Sequence, residues 1–285
     1  MTPMLAWPEA QSLLGGVLGR SRHRPPEGWV PWAIEGARRP LGLLSPDRAR
    51  LLAAALPPQY PLLERDFGWE WVSGSATAVQ RSGVLQHIVE QWRDRGLIQG
   101  WRNELASCWG QCEEPWPYSG QPYFRIERAA FRYLGLRSHA VHIHGLTPDG
   151  EMWCGRRSRR KQTDPLRLDN LAAGGLPADE GLVGCAVREI AEEAGLEIHS
   201  DRLRMPFQSV VTERRVPEGW HSERLFVTAI ALDAETRPVN CDGEVETFRR
   251  LSEEDVLRAI DLQDFTDDAA CAIAAYFYGR SRGAG

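Results

Sequence analysis

Apolar positions recur at helical spacing in the first third of the chain. Across SGVLQHIVEQWRDRG (82–96), Val84, Leu85, Ile88, Val89 and Trp92 share one face, which predicts an amphipathic helix capped at Ser82 and stopped at Gly96. This stripe reads as core. DRARLLAAAL (47–56) predicts another helix. From residue 140 the pattern changes to strands and turns. AVHIHGL (140–146) and EMWCGRR (151–157) flank TPDG, a hairpin with a four-residue connection, and SVVTERRV (209–216) and ERLFVTAIAL (223–232) flank PEGWHS in the same manner. EVETFRRL (244–251) predicts a further strand. SEED (252–255) reads as a capping box opening a helix through Ile260, and a last helix over 267–280 is capped by Thr266. Strands and helices mixed without regular βαβ repetition predict an α+β fold.

The texture changes near residue 120. Nine of the eleven tryptophans precede that point, and CEEPWPYSGQP (112–122) is a Pro/Gly-punctuated connection. Two domains are therefore expected: an aromatic-rich accessory domain over 1–122, smaller and α/β, and a second domain over 123–285. With 285 residues and 42% hydrophobic content the chain can bury a core. Its 39 acidic against 34 basic residues, a net charge of -5, argue against nonspecific nucleic-acid binding. MTPMLAWPEA lacks a basic region followed by an apolar run, and eighteen consecutive apolar residues occur nowhere. The expectation is a cytoplasmic protein without nucleic-acid or membrane partners; a homodimer is left open. The six cysteines show no CxxC pairing and read as free thiols.

The densest chemistry lies in REIAEEAG (188–195). On a helix, Glu189, Glu192 and Glu193 fall within an arc of about 100°, while Val183, Val187, Ile190 and Ala194 cluster on another side. Like charges at i,i+4 cost only about 0.2–0.5 kcal/mol, so such a face is tolerable on a solvated surface and proves nothing by itself. Its context is more specific. Gly174, Glu180, Arg188, Glu189, Ile190, Glu192, Glu193, Gly195 and Leu196 occupy fixed positions across 23 residues. This spacing resembles, position for position, the signature of the Nudix hydrolases, which act on nucleoside diphosphates linked to another moiety and on related diphosphates.

The resemblance implies a Nudix fold, a mixed β-sheet between α-helices, and a Mg²⁺-dependent diphosphatase, with Mn²⁺ as an alternative ion. A diphosphate repels hydroxide, and Mg²⁺ both neutralises phosphate charge and acidifies water; it takes oxygen ligands, which carboxylates at i, i+3 and i+4 can supply. By resemblance Glu192 and Glu193 are the principal metal ligands. Glu189 binds a second metal or helps to orient and deprotonate water, and Glu180 assists from the preceding loop. Arg188 anchors a glutamate, with Glu180 a candidate partner. Glu189, Arg188 and Glu193 are thus the expected catalytic group. Gly174 and Gly175 let backbone approach the metal. Cys185 is expected to pack beneath the site.

Other residues bear on the substrate. Arg156–Arg157–Ser158, Lys161, Leu168–Asp169–Asn170 and Ala173–Gly174–Gly175 resemble a Nudix branch associated with thiamine diphosphate, including the Nudix portion fused to some fungal thiamine pyrophosphokinases. Glu127 to Ala130, Asp242 to Val245 and, in the first domain, Ser73 to Ser75, Arg81–Ser82 and Gly100 to Arg102 match further elements of that branch. The chain departs from it at 164–167 and 265–267. The resemblance implies hydrolysis of thiamine diphosphate, or of oxidised forms of it, to the monophosphate, a small-molecule housecleaning role. Arg156, Arg157, Arg159, Arg160 and Lys161 form a basic loop that is either phosphate-binding or merely solvated. Glu244 and Glu246 share a strand face and complete the metal site or accept a proton, unless Glu246 is simply exposed. Asp169 and Asn170 meet the heterocycle or form the turn before the glycines. A nucleotide-sugar or dinucleotide pyrophosphatase uses the same metal site, and a non-catalytic ligand sensor uses the same fold; the intact set of carboxylates speaks against the sensor.

Overall fold

The computed structural model describes residues 7–161 and 163–282. Residues 1–6, read above for a leader, lie outside it. The first half begins with helix α1 (Trp7–Gly19), followed by β1 (Val30–Ile34), β2 (Gly42–Leu44), α2 (Pro46–Ala55), β3 (Leu62–Arg65), β4 (Gly68–Trp71), α3 (Ala78–Asp94), β5 (Leu105–Cys108), β6 (Phe124–Glu127) and the short α4 (Ala130–Leu134). Ser45 caps α2 by accepting the Arg48 N–H, and Pro46 starts it where no intrahelical donor is required. The cap of helix α3 lies five residues before the expected Ser82. Thr77 and Gln80 form a reciprocal capping box, with bonds of 3.2 and 2.8 Å, while the Ser82 hydroxyl donates to Ala78 O and accepts Arg125 N–H. Strands β2, β1, β4 and β3 form a four-stranded sheet in that order, parallel only between β1 and β4. Its core is built on Trp32, Trp71 and Trp92, all fully buried, with Phe124 and Phe131. Strands β5 and β6 pair on either side of the composition change at residue 122.

The second half is organised by a larger sheet. It comprises β7 (Arg137–Leu146), β8 (Met152–Arg157), β9 (Leu168–Asp169), β10 (Ala172–Gly175), β11 (Gln208–Val216), β12 (Gly219–Ala231) and β13 (Val245–Leu251), with α5 (Leu182–Ala194) between β10 and β11 and α6 (Glu253–Asp261) and α7 (Asp267–Arg282) at the end. The order is β11-β12-β7-β8-β13, with β10 added to β7 and β9 to β8; β7 and β12 run parallel and the other pairs antiparallel. Helix α5 covers one face through Leu182, Cys185, Ala186, Ile190 and Ala194. Helices α6, α7 and α1 cover the other, so the mixed sheet lies between helices. Hence α1, from the opposite end of the chain, buries Ala10 and Leu14 in this second core.

The β11–β12 connection is tighter than the sequence predicts. Val216 pairs with Gly219, leaving two residues in the turn, and Trp220 and His221 are buried strand residues. Their burial extends β12 through a segment whose Pro-Glu-Gly start resembled a loop. Strand β13 begins at Val245, one residue late, and carries a bulge between Val245 and Thr247. Ser252 caps α6 and Thr266 the first turn of α7. The six cysteines are unpaired. Among the described residues no helix is long and apolar enough to cross a membrane.

Candidate active site

The apolar face of α5 fixes its rotation on the sheet, and that rotation sets the glutamates along β10. Glu189 lies against Gly174 so closely that a Cβ there would overlap its carboxyl group. On the neighbouring glycine, a Cβ at Gly175 would meet the guanidinium of Arg128. The glycine pair therefore admits an anion at one position and a cation at the next. Glu193 reaches the open edge of β10 and accepts the Ala173 N–H at 2.9 Å. Gly195 ends the helix with φ 63°, a left-handed conformation suited to glycine.

Arg188 ties three of the four carboxylates together. Its Nε lies 3.2 Å from both oxygens of Glu180, its Nη2 donates to Glu180 at 2.8 Å, and its Nη1 lies 2.9 Å from Glu192 and 2.8 Å from Glu189. Hydrogen bonding to Glu180, above all, holds the guanidinium protonated against the cost of its partial burial. Both oxygens of Glu180 are engaged in this fork. The Glu192 side chain is 53% exposed, whereas that of Glu189 is 12% exposed. Burial raises the Glu189 pKa, although Arg188 opposes the rise. Burial raises Glu193 further; the Ala173 N–H opposes it, and the charges of Asp169 and Glu189 add to it.

The opposite wall comes from the loop before β13 and the turn after β8. Glu193, Asp242 and Glu244 each bring a carboxylate oxygen within 4.8 Å of the others. Glu244 also pairs with Lys161. Burial would raise the Glu244 pKa, but the Lys161 hydrogen bond and charge, helped by Arg102 and Arg157, hold it below the ordinary value. Arg157 donates to Asp169 at 2.8 Å and to Thr163 O. An all-oxygen donor set of three carboxylates, partly shielded from water, suits a hard divalent cation such as Mg²⁺ or Mn²⁺.

The remaining residues singled out in the sequence divide between the cleft and its supports. Arg156 donates to Leu166 O, and Arg159 meets Glu246, which is not among the three convergent carboxylates, at 3.4 Å. The β13 bulge separates Glu246 from Glu244, so the two do not act as a simple alternating pair. Asn170 is 2% exposed and meets His142 at 2.7 Å, a core contact; Asp169 accepts the Asn170 N–H, pairs with Arg157 and acts electrostatically on Glu193. Cys185 is buried, with Sγ 3.6 Å from Gly175 O, and burial raises its thiol pKa. Asp242, at the start of the Asp242–Val245 (DGEV) element, carries no ligand spacing of its own; its convergence with Glu193 depends on the return of the chain after β12.

Two other features lie apart from this cleft. His221, Glu223 and Asp268 also converge, but Arg214 binds both Asp268 oxygens at 2.8 Å, making a largely shielded ion pair. A cavity of about 520 Å³ opens at the first turn of α5, walled by Trp116, Phe207, Phe226, Val183 and Arg224. It is at the end of the helix away from Glu192 and Glu193, and the cleft, not the cavity, holds the convergent carboxylates.

The mixed sheet, the helix laid across it and the glutamates fixed at its strand edge define a class. Residues 136–272 match the model of the NUDIX domain family. The chain is similar to Nudix hydrolase 24, chloroplastic, of Arabidopsis thaliana, 32% identical over 70% of this chain and 54% of that one. It is also similar to an uncharacterized protein of Saccharomyces cerevisiae, 29% identical over 63% of this chain and 55% of that one, and to Nudix hydrolase 20, chloroplastic, of Arabidopsis thaliana, 31% identical over 59% and 44%. The chain spans about half the length of these curated relatives.

Proposed function

We propose that the chain is a Mg²⁺-dependent diphosphatase that hydrolyses a phosphoanhydride, with thiamine diphosphate or its oxidised forms as substrate and the monophosphate plus phosphate as products. The observation that carries the reaction class is the convergence of Glu193, Asp242 and Glu244 beside Lys161 and Arg157. Carboxylates alone would repel a diphosphate, and cations alone would bind it without activating water; the cleft contains both. A divalent cation held by Glu193, Asp242 and Glu244, with Glu189 and Glu192 nearby, would neutralise phosphate charge and acidify water.

The side chains have separable tasks. Lys161 and Arg157 bind phosphate oxygens. Glu189, whose proton affinity burial raises, takes the proton of the attacking water. Water forms a new bond to phosphorus, the bridging P–O bond breaks, and the leaving phosphate departs with its electron pair. Arg188 keeps Glu189 and Glu192 oriented while Glu180 fixes Arg188. Residues 1–122 act as an accessory domain that shapes the cleft. The thiamine assignment rests on the RRS, LDN, AGG and DGEV elements, and the similarity to Nudix hydrolase 24 supports the wider reading.

The test is product release, read by chromatography because ADP-ribose and dinucleotides are cleaved to two phosphorylated fragments without free phosphate, from a panel of thiamine diphosphate, oxothiamine diphosphate, ADP-ribose and a dinucleoside polyphosphate, with and without Mg²⁺. Preferential, metal-dependent release from the thiamine compounds is expected. A preference for ADP-ribose would overturn the substrate assignment, and no hydrolysis of any member would overturn the reaction class.

A further inference from the structure

The cavity at the first turn of α5 is built by both halves of the chain. The first half supplies the 113–117 segment, and the second supplies that turn, the 205–207 segment and residues of β11 and β12. At a rise of about 1.5 Å per residue, Val183 lies about 15 Å along α5 from Glu193. The cavity is therefore a separate place from the carboxylate cleft. Its volume of about 520 Å³ is that of a small-molecule site. The walls are mainly apolar, with the rings of Trp116, Phe207 and Phe226 joined by the exposed Met205. Trp116 and Phe226 meet edge to face, with ring centroids 5.6 Å apart, so two of the rings hold each other in place.

A cation is buried in this apolar wall. Arg224 is 8% exposed and lines the cavity. Its Nη1 donates to Glu114 O at 2.7 Å and to Tyr118 Oη at 3.2 Å, while Nε and Nη2 reach Ser209 Oγ at 3.3 and 3.0 Å. These acceptors are all neutral. Among the described residues Arg224 has no carboxylate partner, and Nη2, which carries two hydrogens, meets only Ser209 Oγ. The arginines around it differ: Arg137 pairs with Glu213 at 2.9 Å, and Arg22 and Arg39 share Glu113 at 3.4 and 3.5 Å. Glu113 lies on the cavity wall, but its charge is met by two arginines that do not line the cavity. A buried charge ordinarily has a counter-charge, because desolvation is otherwise unrepaid. Beside Arg224, α5 begins at Gly181 with no capping side chain. The N–H groups of Leu182, Val183 and Gly184, residues of the cavity wall, thus have no partner within the helix.

We propose that this cavity is a second ligand site, for a flat aromatic monocarboxylate whose ring lies among Trp116, Phe207 and Phe226 and whose carboxylate meets Arg224. One uncompensated guanidinium matches one negative charge, which favours a carboxylate over a phosphate dianion. The aromatic walls favour a flat body over a sugar. This site stands whether or not the cleft hydrolyses a diphosphate.

The experiment is calorimetric titration of the full chain with 2-naphthoate and with 2-naphthamide, its uncharged counterpart. Binding of 2-naphthoate at one site, about 10- to 100-fold tighter than that of the amide, is expected, the scale of a charge-assisted contact. The affinity should be the same in excess methylenediphosphonate and Mg²⁺, which occupy the cleft. Val183→Trp fills the cavity from a half-buried helix position and should weaken 2-naphthoate binding at least about 10-fold with an unchanged circular dichroism spectrum. Arg224→Gln should reduce 2-naphthoate to the level of the amide. Because Arg224 also holds the 112–118 segment, the Val183 variant decides the matter if Arg224→Gln does not fold. No binding of 2-naphthoate, equal binding of acid and amide, displacement by methylenediphosphonate, or undiminished binding by Val183→Trp would each overturn the proposal.

Discussion

The Glu189 carboxyl group occupies the space that a side chain at Gly174 would fill, so a strand position and a helix position share one volume. Gly174→Ala should push the carboxylate away without adding or removing a charge. Because a misplacement of about 1 Å can cost on the order of 10²-fold, turnover should fall by about that factor. Steady-state rates alongside circular dichroism of the variant check this; near-normal turnover would show that Glu189 does not act from this position.

Glu193 combines function with a stability cost. Its folded-state pKa is raised, chiefly by burial, so the ionised form is disfavoured by folding. This penalty is absent below the unfolded value of about 4.3, grows as pH rises toward the folded value, and is complete above it. Glu193→Gln should therefore lower turnover by at least about 10²-fold and stabilise the metal-free protein by about 0.5–2 kcal/mol at neutral pH. Chemical denaturation in EDTA should show the gap closing as pH falls to about 4. Glu192→Gln should cost a similar factor in turnover, without this stabilisation, since Glu192 is half-exposed.

Arg188 serves three carboxylates through separate nitrogens, a geometry that lysine cannot match. Arg188→Lys should lower stability by about 1–3 kcal/mol and reduce turnover as Glu189 and Glu192 lose their common anchor. Restored turnover in the lysine variant would argue that the charge alone matters.

The Arg214–Asp268 pair gives a pH signature away from the cleft. Burial would raise the Asp268 pKa, but His221 and Arg214 outweigh it and hold the carboxyl well below the ordinary range. A depressed folded pKa gives stability that is present above the unfolded value of about 3.9 and is lost as pH falls through the folded value. Asp268→Asn should thus cost about 2–4 kcal/mol near neutrality, because Arg214 loses its partner. Urea melts should show this difference shrinking below about pH 4.

Much of the second half was legible because its elements carry strong local patterns. The hairpin of β7 and β8 and the caps at Ser252 and Thr266 follow from spacing alone. The apolar face of α5 was legible only in part: Ile190 and Ala194 are buried as expected, but Leu182, Cys185, Ala186 and Glu189 complete the buried side and Val183 and Val187 are half-buried. Strands β1 to β4 are three to five residues long, too short to set a period. Helix α1 contains Gly15, Gly16 and Gly19, which weaken its intrinsic preference, and packing against α7 overrides that weakness. Ser82 looked like a cap because the apolar run follows it, but the Thr77–Gln80 box lies one turn earlier. In the cleft, the glutamates of α5 were readable from their signature. The part Asp242 plays as a member of this carboxylate group was not, since it meets Glu193 through a long return of the chain and no local spacing encodes it.

The seating of α1 on α7 makes the sheet-bearing half discontinuous in sequence. Tyr278 donates its hydroxyl hydrogen to Gln11 O, and Ala10 and Leu14 fill the seam beneath. A fragment beginning at Tyr123 would leave an apolar trough along its final helix and should self-associate unless a peptide spanning 7–19 is supplied in trans. During synthesis, the opening helix must wait for the last one to emerge before this seam can close.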